Sequence, residues 1–116
     1  MVPLKCWGVN LDELVSREGL VYQKFSDIPF SGVVTGKENG QFLEGRRHGK
    51  WLIYDKSGQL IFEINYKRGI RNGLYRQFNR YGNLDINGFY EDGEYSGQWT
   101  YYLDGSIEKQ GKYKDS

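Results

Sequence analysis

The chain has 116 residues, a formal net charge of +1, 38% hydrophobic residues and 27% charged residues, which suits one globular domain. Its 16 glycines follow no three-residue period and 16% of its residues are aromatic, so collagen and a disordered chain are both excluded. Cys6 is the single cysteine, which rules out an internal disulfide and a cysteine-based metal site. No stretch is long enough to span a membrane. We expect a cytoplasmic protein, or a periplasmic one if a signal segment precedes residue 1.

The N-terminal segment predicts short elements instead of a full repeat. Asn10 can cap a helical turn over 11–15, because its side chain can accept hydrogen bonds from unpaired backbone N–H groups. Residues 19–25 then have the pattern of a short strand. We interpret residues 1–28 as an N-terminal cap that shields the open edge of a sheet.

Residues 29–44 resemble a shortened repeat unit. A strand starts over 28–34, Glu38-Asn39-Gly40 is predicted to turn the chain, and residues 41–44 form the return strand. This degenerate unit leads into the regular part of the sequence.

From residue 45 onwards, one pattern recurs three times with a spacing of 24 residues. Each unit has two glycines, two aromatic residues, a turn glycine and a closing tyrosine. The matching positions are Gly45/Gly69/Gly93, Gly49/Gly73/Gly97, Trp51/Tyr75/Trp99, Tyr54/Phe78/Tyr102, Gly58/Gly82/Gly105 and Tyr66/Tyr90/Tyr113. The third turn glycine comes one residue early. The pattern predicts repeat units at 45–68, 69–92 and 93–116 within a single domain, 1–116.

Each unit is predicted to be a β-hairpin. Turns fall at 56–58, 80–82 and 104–105 within the units, and glycine after Asn or Asp supplies the positive φ that hairpin turns need. The connections between units are predicted to be bracketed by Arg68-Gly69 and Asp92-Gly93, together with Asn72-Gly73.

Alternation along the return strands predicts one apolar face. The inward sets are Leu60/Phe62/Ile64/Tyr66, Leu84/Ile86/Gly88/Tyr90 and Ile107/Lys109/Gly111/Tyr113. Their apolar content falls toward the C-terminus, as expected of a unit that ends a stack. The outgoing strands are aromatic on both faces, so we expect one aromatic column in the core. We expect the other aromatic column near the surface, where it either supports the twisted sheet by stacking or forms a surface that contacts a partner.

The run Gly45-Arg46-Arg47-His48-Gly49-Lys50-Trp51, with Tyr54 and Gly58, resembles a MORN (membrane occupation and recognition nexus) repeat. The Tyr-x-x-Gly entries at Tyr66 and Tyr90 are similar to a variant found in bacterial proteins. So is Gly19-Leu20-Val21-Tyr22 followed by Pro29-Phe30-Ser31-Gly32. The resemblance covers residues 19–115 and implies an elongated, twisted, single-layer antiparallel sheet of consecutive hairpins. Bacterial proteins of this variant are described as antitoxins or immunity proteins, which implies a toxin or effector domain as partner.

Charge is distributed unevenly along the chain. Residues 37–80 carry ten Lys/Arg against four Asp/Glu, whereas residues 81–116 carry three against seven. The acidic residues are candidate partner-binding residues that could mimic nucleic acid toward a basic toxin: Asp85, Glu91, Asp92, Glu94, Asp104 and Glu108. An alternative basic surface could contact a partner protein or anionic lipid head groups: Arg46, Arg47, Arg68, Arg71, Arg76 and Arg80.

No group of residues predicts catalysis. His48 is the only histidine, and we expect it to be a solvated turn residue; one His and one Cys do not make an ordinary zinc site. We predict a binding protein, not an enzyme, with no cofactor, metal or small-molecule substrate. The preferred function is a bacterial immunity protein or antitoxin that neutralises a toxin by direct contact. The alternative is a scaffold for a partner protein or anionic membrane lipids; with a net charge of +1 and no known motif, nucleic acid is not expected.

Overall fold

The computed structural model describes residues 8–113. A short 3₁₀ turn at Leu11–Glu13 precedes the strands. In chain order they are β1 (Leu14–Arg17), β2 (Leu20–Gln23), β3 (Gly32–Val34), β4 (Glu38–Leu43), β5 (Arg46–Tyr54), β6 (Leu60–Lys67), β7 (Ile70–Phe78), β8 (Leu84–Glu91), β9 (Glu94–Leu103) and β10 (Ser106–Tyr113). Strands β3 to β10 form one antiparallel sheet in sequential order, and β1 and β2 form a separate pair. The predicted fold class is confirmed: consecutive hairpins make an open, elongated sheet with extents of 49 × 37 × 22 Å.

Two kinds of turn join the strands of the large sheet. On what we call the connection side, Glu44-Gly45, Arg68-Gly69 and Asp92-Gly93 join successive units, and both residues of each turn have positive φ, 50–52° and 82–87°. This is the type I′ geometry, which matches the twist of paired strands. On what we call the loop side, longer turns begin at Asp55 and Asn79. The side-chain oxygen of each accepts hydrogen bonds from the backbone N–H groups two and four residues later.

One face of the large sheet, which we call the aromatic face, carries the core. Its best buried part is the cluster Val9, Phe30, Val34, Phe42 and Trp51. Edge-to-face ring contacts link Phe30 to Phe42 and Phe42 to Trp51, with centroids 6.0 and 5.1 Å apart. Trp51 and Trp99 are 0% and 2% exposed, whereas Tyr75 between them is half-buried. The prediction that one aromatic column fills the core is therefore confirmed at the two tryptophans.

The register of the sheet shifts at the same place in each unit. Asn39 faces Leu52 but Gln41 faces His48, so β5 contains two more residues than β4 over this stretch. The same shift recurs between β6 and β7 and between β8 and β9. Because side chains alternate with a period of two, an even insertion leaves each strand's faces unchanged.

Near the loop side, the return strand of each unit has one residue more than its partner strand. This odd insertion moves the residue before it to the other face of the sheet. Ile53 faces Phe62, but Tyr54 faces Leu60, so Leu60 lies on the face of Tyr54 and not of Phe62. Leu84 and Ile107 are displaced in the same way. The prediction that these three residues share the inward face of their strands is therefore wrong, because a β-bulge follows each of them.

The N-terminal predictions are partly wrong. Asn10 caps the helical turn as expected, with Oδ1 accepting from the Asp12 N–H at 3.0 Å, but the turn ends at Glu13 and β1 begins at Leu14. Glu38-Asn39-Gly40 lies within β4 and is not a turn. Gly40 is needed for packing instead, since a Cβ there would be 2.2 Å from the Trp51 ring. Asn72-Gly73 likewise lies inside β7, at the register shift.

The two edges of the sheet differ. The N–H of Val9 donates to the Val33 carbonyl at 2.8 Å, and the N–H of Thr35 donates to the Val9 carbonyl at 2.9 Å, which covers the β3 edge. Residues 1–7 of the predicted cap lie outside the described residues. At the other edge, every residue of β10 is exposed.

Candidate partner-binding groove

A groove with a volume of about 310 Å³ lies on the aromatic face between β4 and β7. Its floor is apolar and aromatic: Trp51, Ile53, Phe62, Ile64, Tyr66 and Tyr75. Two arginines and one carboxylate, Arg47, Arg71 and Glu38, complete the lining. Strand pairing places the floor residues together, since Trp51 faces Ile64 and Ile64 faces Tyr75 across neighbouring strands. We call this the aromatic–arginine groove.

Arg47 is held in place by rings and by a carboxylate. Its guanidinium lies 4.8 Å from the centre of the Trp51 ring and 5.9 Å from that of Tyr66. Its Nη2 is 3.5 Å from Oε1 of Glu38. Cation–π contacts of this kind contribute about 0.5–2 kcal/mol, depending on desolvation. The positive charge of Arg47 is therefore balanced within the protein.

Arg71 occupies the same repeat position one unit later but has different partners. Its guanidinium lies 5.3 Å from the centre of the Tyr90 ring, and its Nη1 donates to the Tyr90 hydroxyl at 3.1 Å. Within residues 8–113, no carboxylate forms an ion pair with it. Burial acts to lower the pKa of Arg71, but the hydrogen bond and attraction to Tyr90 outweigh it, so the pKa is raised. The groove thus contains a cation that forms no ion pair with a carboxylate of the described residues.

Tyr75, which lines the groove, and Tyr90, which contacts Arg71, stay protonated over a wider pH range than free tyrosine. Burial raises the pKa of Tyr75, whose hydroxyl donates to Oε1 of Gln77 at 3.1 Å. Burial also raises the pKa of Tyr90, although the hydrogen bond from Arg71 acts in the opposite direction. These side chains offer neutral hydroxyl groups beside the arginines at physiological pH.

The opposite face carries a polar row across the strands. Glu63 is only 9% exposed and lies 3.8 Å from Nζ of Lys50 and 3.9 Å from Nη1 of Arg76. Arg76 faces Asn87, and Asn87 faces Thr100. Arg76 is therefore bound to a buried carboxylate on the far side of the sheet from the groove.

The predicted basic surface is only partly brought together. Arg46, Arg47, Arg68 and Arg71 lie at or next to the connection side, and of these Arg47 and Arg71 reach the groove. Arg76 is on the opposite face, as described above. Arg80 lies in the turn on the loop side, 5.2 Å from the centre of the Tyr81 ring.

The predicted acidic surface divides into two groups. Glu91, Asp92 and Glu94 surround one turn on the connection side, whereas the other three lie toward the loop side: Asp85, Asp104 and Glu108. Strand β9 separates the groups with ten residues, which span about 30 Å at ~3.3 Å per residue. The six carboxylates do not form one continuous surface.

His48 is not the solvated turn residue that its sequence position predicts. It lies in β5 opposite Gln41, is half-buried, and its Nδ1 accepts from the Arg68 N–H at 3.4 Å. Asn72 accepts from the Asp92 N–H at 3.0 Å, and Ser31 from the Glu44 N–H at 2.8 Å. The expectation failed because the first residue of a type I′ turn directs its N–H toward the preceding unit, where these side chains lie.

A backbone hydrogen bond accompanies each of these side-chain bonds. The second turn residue donates to the carbonyl just before the polar side chain, at 2.8 Å in every case: Gly45 to Phe30, Gly69 to Arg47 and Gly93 to Arg71. We call each pair of hydrogen bonds a turn clamp. The sequence signal is a polar residue before a glycine at positions 31, 48 and 72, although at His48 and Asn72 it had been predicted to mark a turn.

The aromatic–arginine groove was also missed, although a signal for it exists. Arg47 and Arg71 lie four residues before Trp51 and Tyr75, an even spacing that places each arginine on the face of its aromatic residue. Glu38 could not be assigned to the groove from the sequence, because its segment was predicted to be a turn.

In the part of the chain that the structure describes, no group of three or more His, Cys, Asp and Glu side chains could hold a metal ion. Its one helical turn is far too short to cross a membrane. No protein-family model, curated protein or solved structure matches this chain. The resemblance to MORN repeats therefore stays a prediction from the sequence columns.

Proposed function

We propose that this chain is a binding protein that acts by direct contact with a partner protein, through the aromatic–arginine groove. The observation that carries the proposal is the composition and geometry of the groove. Tryptophan, tyrosine and arginine are enriched among the few residues that carry most of the binding energy of protein interfaces. Here they line one half-open depression, with both guanidinium groups already fixed over rings. Fixed side chains lose little conformational entropy on binding.

The size of the sheet supports a protein partner. A standard interface buries about 800 Å² on each partner. The broad face of a body measuring 49 × 37 × 22 Å is large enough to supply that area around the groove. The resemblance to bacterial antitoxins and immunity proteins favours a toxin or effector domain, which the chain would neutralise by covering its functional surface.

The test is binding to the protein encoded by the neighbouring gene, measured by calorimetry with purified components. Phe62→Ala removes a ring from the groove floor, and we expect it to weaken binding by at least tenfold, the loss of about 1.4 kcal/mol. Phe89→Ala is the matched control, because Phe89 is 45% exposed and pairs with Leu74 on the opposite face. Both variants are checked for folding by thermal denaturation. Equal affinities for the two variants would reject the groove as the contact surface.

A second candidate is binding to anionic lipids, and a specific observation favours it. Arg46, Arg47, Arg68 and Arg71 gather along the connection side, and a basic residue near an anionic membrane contributes about 1 kcal/mol. Co-sedimentation with vesicles containing phosphatidylserine, against vesicles of phosphatidylcholine alone, tests this at low salt. If the chain stays in the supernatant with both, lipid binding is excluded.

A further inference from the structure

The two arginines of the groove are not equivalent, and the difference points to what the groove binds. Arg47 is paired with Glu38, whereas the Arg71 guanidinium contacts tyrosine side chains and has no carboxylate partner among the described residues. A guanidinium has five N–H donors in a planar fork that matches a carboxylate with two parallel hydrogen bonds. The hydroxyl of Tyr90 occupies only part of that fork.

The surroundings of Arg71 are apolar on one side. Tyr66 faces Arg71 across the strands, and Phe62, Ile64 and Tyr75 form the adjoining floor. A volume of about 310 Å³ is at the small end of ligand pockets, about 300–1,000 Å³, so it suits one or two side chains. A side chain bound there would lie beside the Arg71 guanidinium, which remains exposed to solvent and free to accept a partner.

We propose that the groove recognises a segment of the partner protein in which an apolar side chain lies next to a carboxylate, with Arg71 binding the carboxylate. The apolar side chain occupies the floor between Phe62 and Tyr66. The inference rests on the proposed function and adds the chemistry of the partner to it. Charge complementarity carries it, since Arg71 is a fixed charge of the groove that no carboxylate of the described chain neutralises.

Glu38 argues against a phosphate group as the occupant. Its carboxylate lies in the lining of the same groove, 3.5 Å from Arg47, and would repel a doubly charged phosphate or a nucleic-acid backbone. A single carboxylate with an apolar neighbour brings less negative charge close to Glu38. The groove therefore favours an acidic protein segment over a polyanion.

The experiment uses two acetylated, amidated peptides, Ser-Gly-Asp-Phe-Gly-Ser and the same peptide with Asn in place of Asp. Their binding to the whole chain is measured by NMR titration, with the Arg side-chain Nε–H signals as the readout. We expect the Asp peptide to bind about tenfold more tightly, because a hydrogen-bonded charge pair is worth about that factor. Arg71→Gln should remove the difference between the peptides. Arg80→Gln makes the same charge change in the loop-side turn and should leave it intact.

Three outcomes would overturn the inference. They are equal binding of the two peptides, equal effects of Arg71→Gln and Arg80→Gln, and stronger competition by inorganic phosphate than by acetate against the Asp peptide. The last result would identify a phosphate site instead. If the neighbouring gene product still binds in a manner that depends on Phe62, the proposed function stands while the carboxylate inference fails. Loss of both would reject the groove altogether.

Discussion

Single residues explain how the units are held in order. Ser31, His48 and Asn72 differ in chemistry, yet each supplies one acceptor to the backbone N–H of the first residue in a type I′ turn. That N–H belongs to a residue with φ near 50°, a backbone conformation that residues other than glycine rarely adopt. The turn clamp stabilises the conformation by giving the exposed N–H a fixed partner. The role of each residue is set by its position before a glycine and by its acceptor atom.

Asn72→Ala tests the turn clamp. The change leaves the Asp92 N–H without its side-chain acceptor, and we expect the free energy of unfolding to fall by about 1 kcal/mol. Denaturant unfolding at neutral pH measures it. Asn72→Ser is the control, because serine fills this role at position 31 and should lose less. Equal losses in both variants would show that the acceptor atom contributes nothing.

Two loop-side turns use the same geometry with different charge. Asp55 accepts from the Ser57 hydroxyl and the Ser57 and Gln59 N–H groups, and Asn79 accepts from the N–H groups of Tyr81 and Asn83. The hydrogen bond from the Ser57 side chain, followed by that from the Gln59 backbone, lowers the pKa of Asp55 below 3.8. The contribution of the ionised carboxylate is therefore present above pH 3.8 and is lost as the pH falls through the folded-state pKa.

Asp55→Asn should remove this part of the acid sensitivity, because an amide keeps an acceptor oxygen and does not titrate. We expect the difference in melting temperature between pH 7 and pH 2.5 to be smaller in the variant than in the wild type. Asn79→Asp is the reciprocal change and should make it larger. Thermal denaturation followed by circular dichroism gives both values. An unchanged difference in Asp55→Asn would contradict the assignment.

At the scale of strands, residue size is matched across each register shift. Trp51 covers Gly40 and Trp99 covers Gly88, where a Cβ would lie 2.2 Å from the indole ring in both cases. In the unit between them, the smaller ring of Tyr75 faces Ile64. The indole N–H of each tryptophan donates to the carbonyl after its glycine, Gln41 at 3.1 Å and Phe89 at 3.0 Å. The Trp99 N–H is also 3.2 Å from the Ser96 carbonyl, so each tryptophan is fixed by its ring contact and by hydrogen bonding of its indole N–H.

Gly88→Ala should destabilise the fold by about 1–3 kcal/mol, because the new methyl group overlaps the Trp99 ring. Gly111→Ala is the control on the other side of the same tryptophan. Gly111 faces Trp99 across β9 and β10, and nothing lies within 4 Å of a Cβ there. We expect the Gly111→Ala variant to be nearly as stable as the wild type. Denaturant unfolding, followed by tryptophan fluorescence, measures the free energy of unfolding of both variants. Similar losses in the two would mean that strand propensity, and not overlap with the Trp99 ring, causes the destabilisation.

The elements that the sequence predicts well are those specified by neighbouring residues. Glycine after an acidic or basic residue specifies the type I′ turns at Gly69 and Gly93, and the spacing of 24 residues specifies the aromatic columns. Asn39-Gly40 is also a dipeptide that favours a turn, but Gly40 makes room for Trp51, eleven residues away. No local pattern separates those two uses of glycine. The groove was missed for a similar reason, since Glu38 and Arg71 come to line the same groove only through the order of the strands.

At the scale of the whole molecule, burial is uneven along the sheet. The cluster around Phe42 and Trp51 lies near the covered β3 edge, and the rings of Tyr95 and Tyr113, both more than 40% exposed, stack near the β10 edge. Each strand pairs only with its sequence neighbours. Stability in such an array is a sum of local terms, so its two ends need not open together.

Hydrogen exchange should therefore follow a gradient. We expect backbone amides of β5 and β6 to exchange at least about 100-fold more slowly than those of β10, because local opening frees exposed edge strands first. Exchange measured by NMR at neutral pH provides the rates. Equal protection in β5 and β10 would indicate one fully cooperative unit.

The turn clamps have a consequence for how such a chain can lengthen. If residues 69–92 were copied and inserted after Asp92, both joins would again read Asp-Gly, the sequence of the Asp92-Gly93 turn. Every new turn would find its clamp, because Arg71 and Asn72 travel with the copied segment. The mismatch would be Gly88 against the copied Tyr75, where Trp99 now covers the glycine. Tandem duplication of this gene segment followed by one change from tyrosine to tryptophan would thus extend the sheet by two strands.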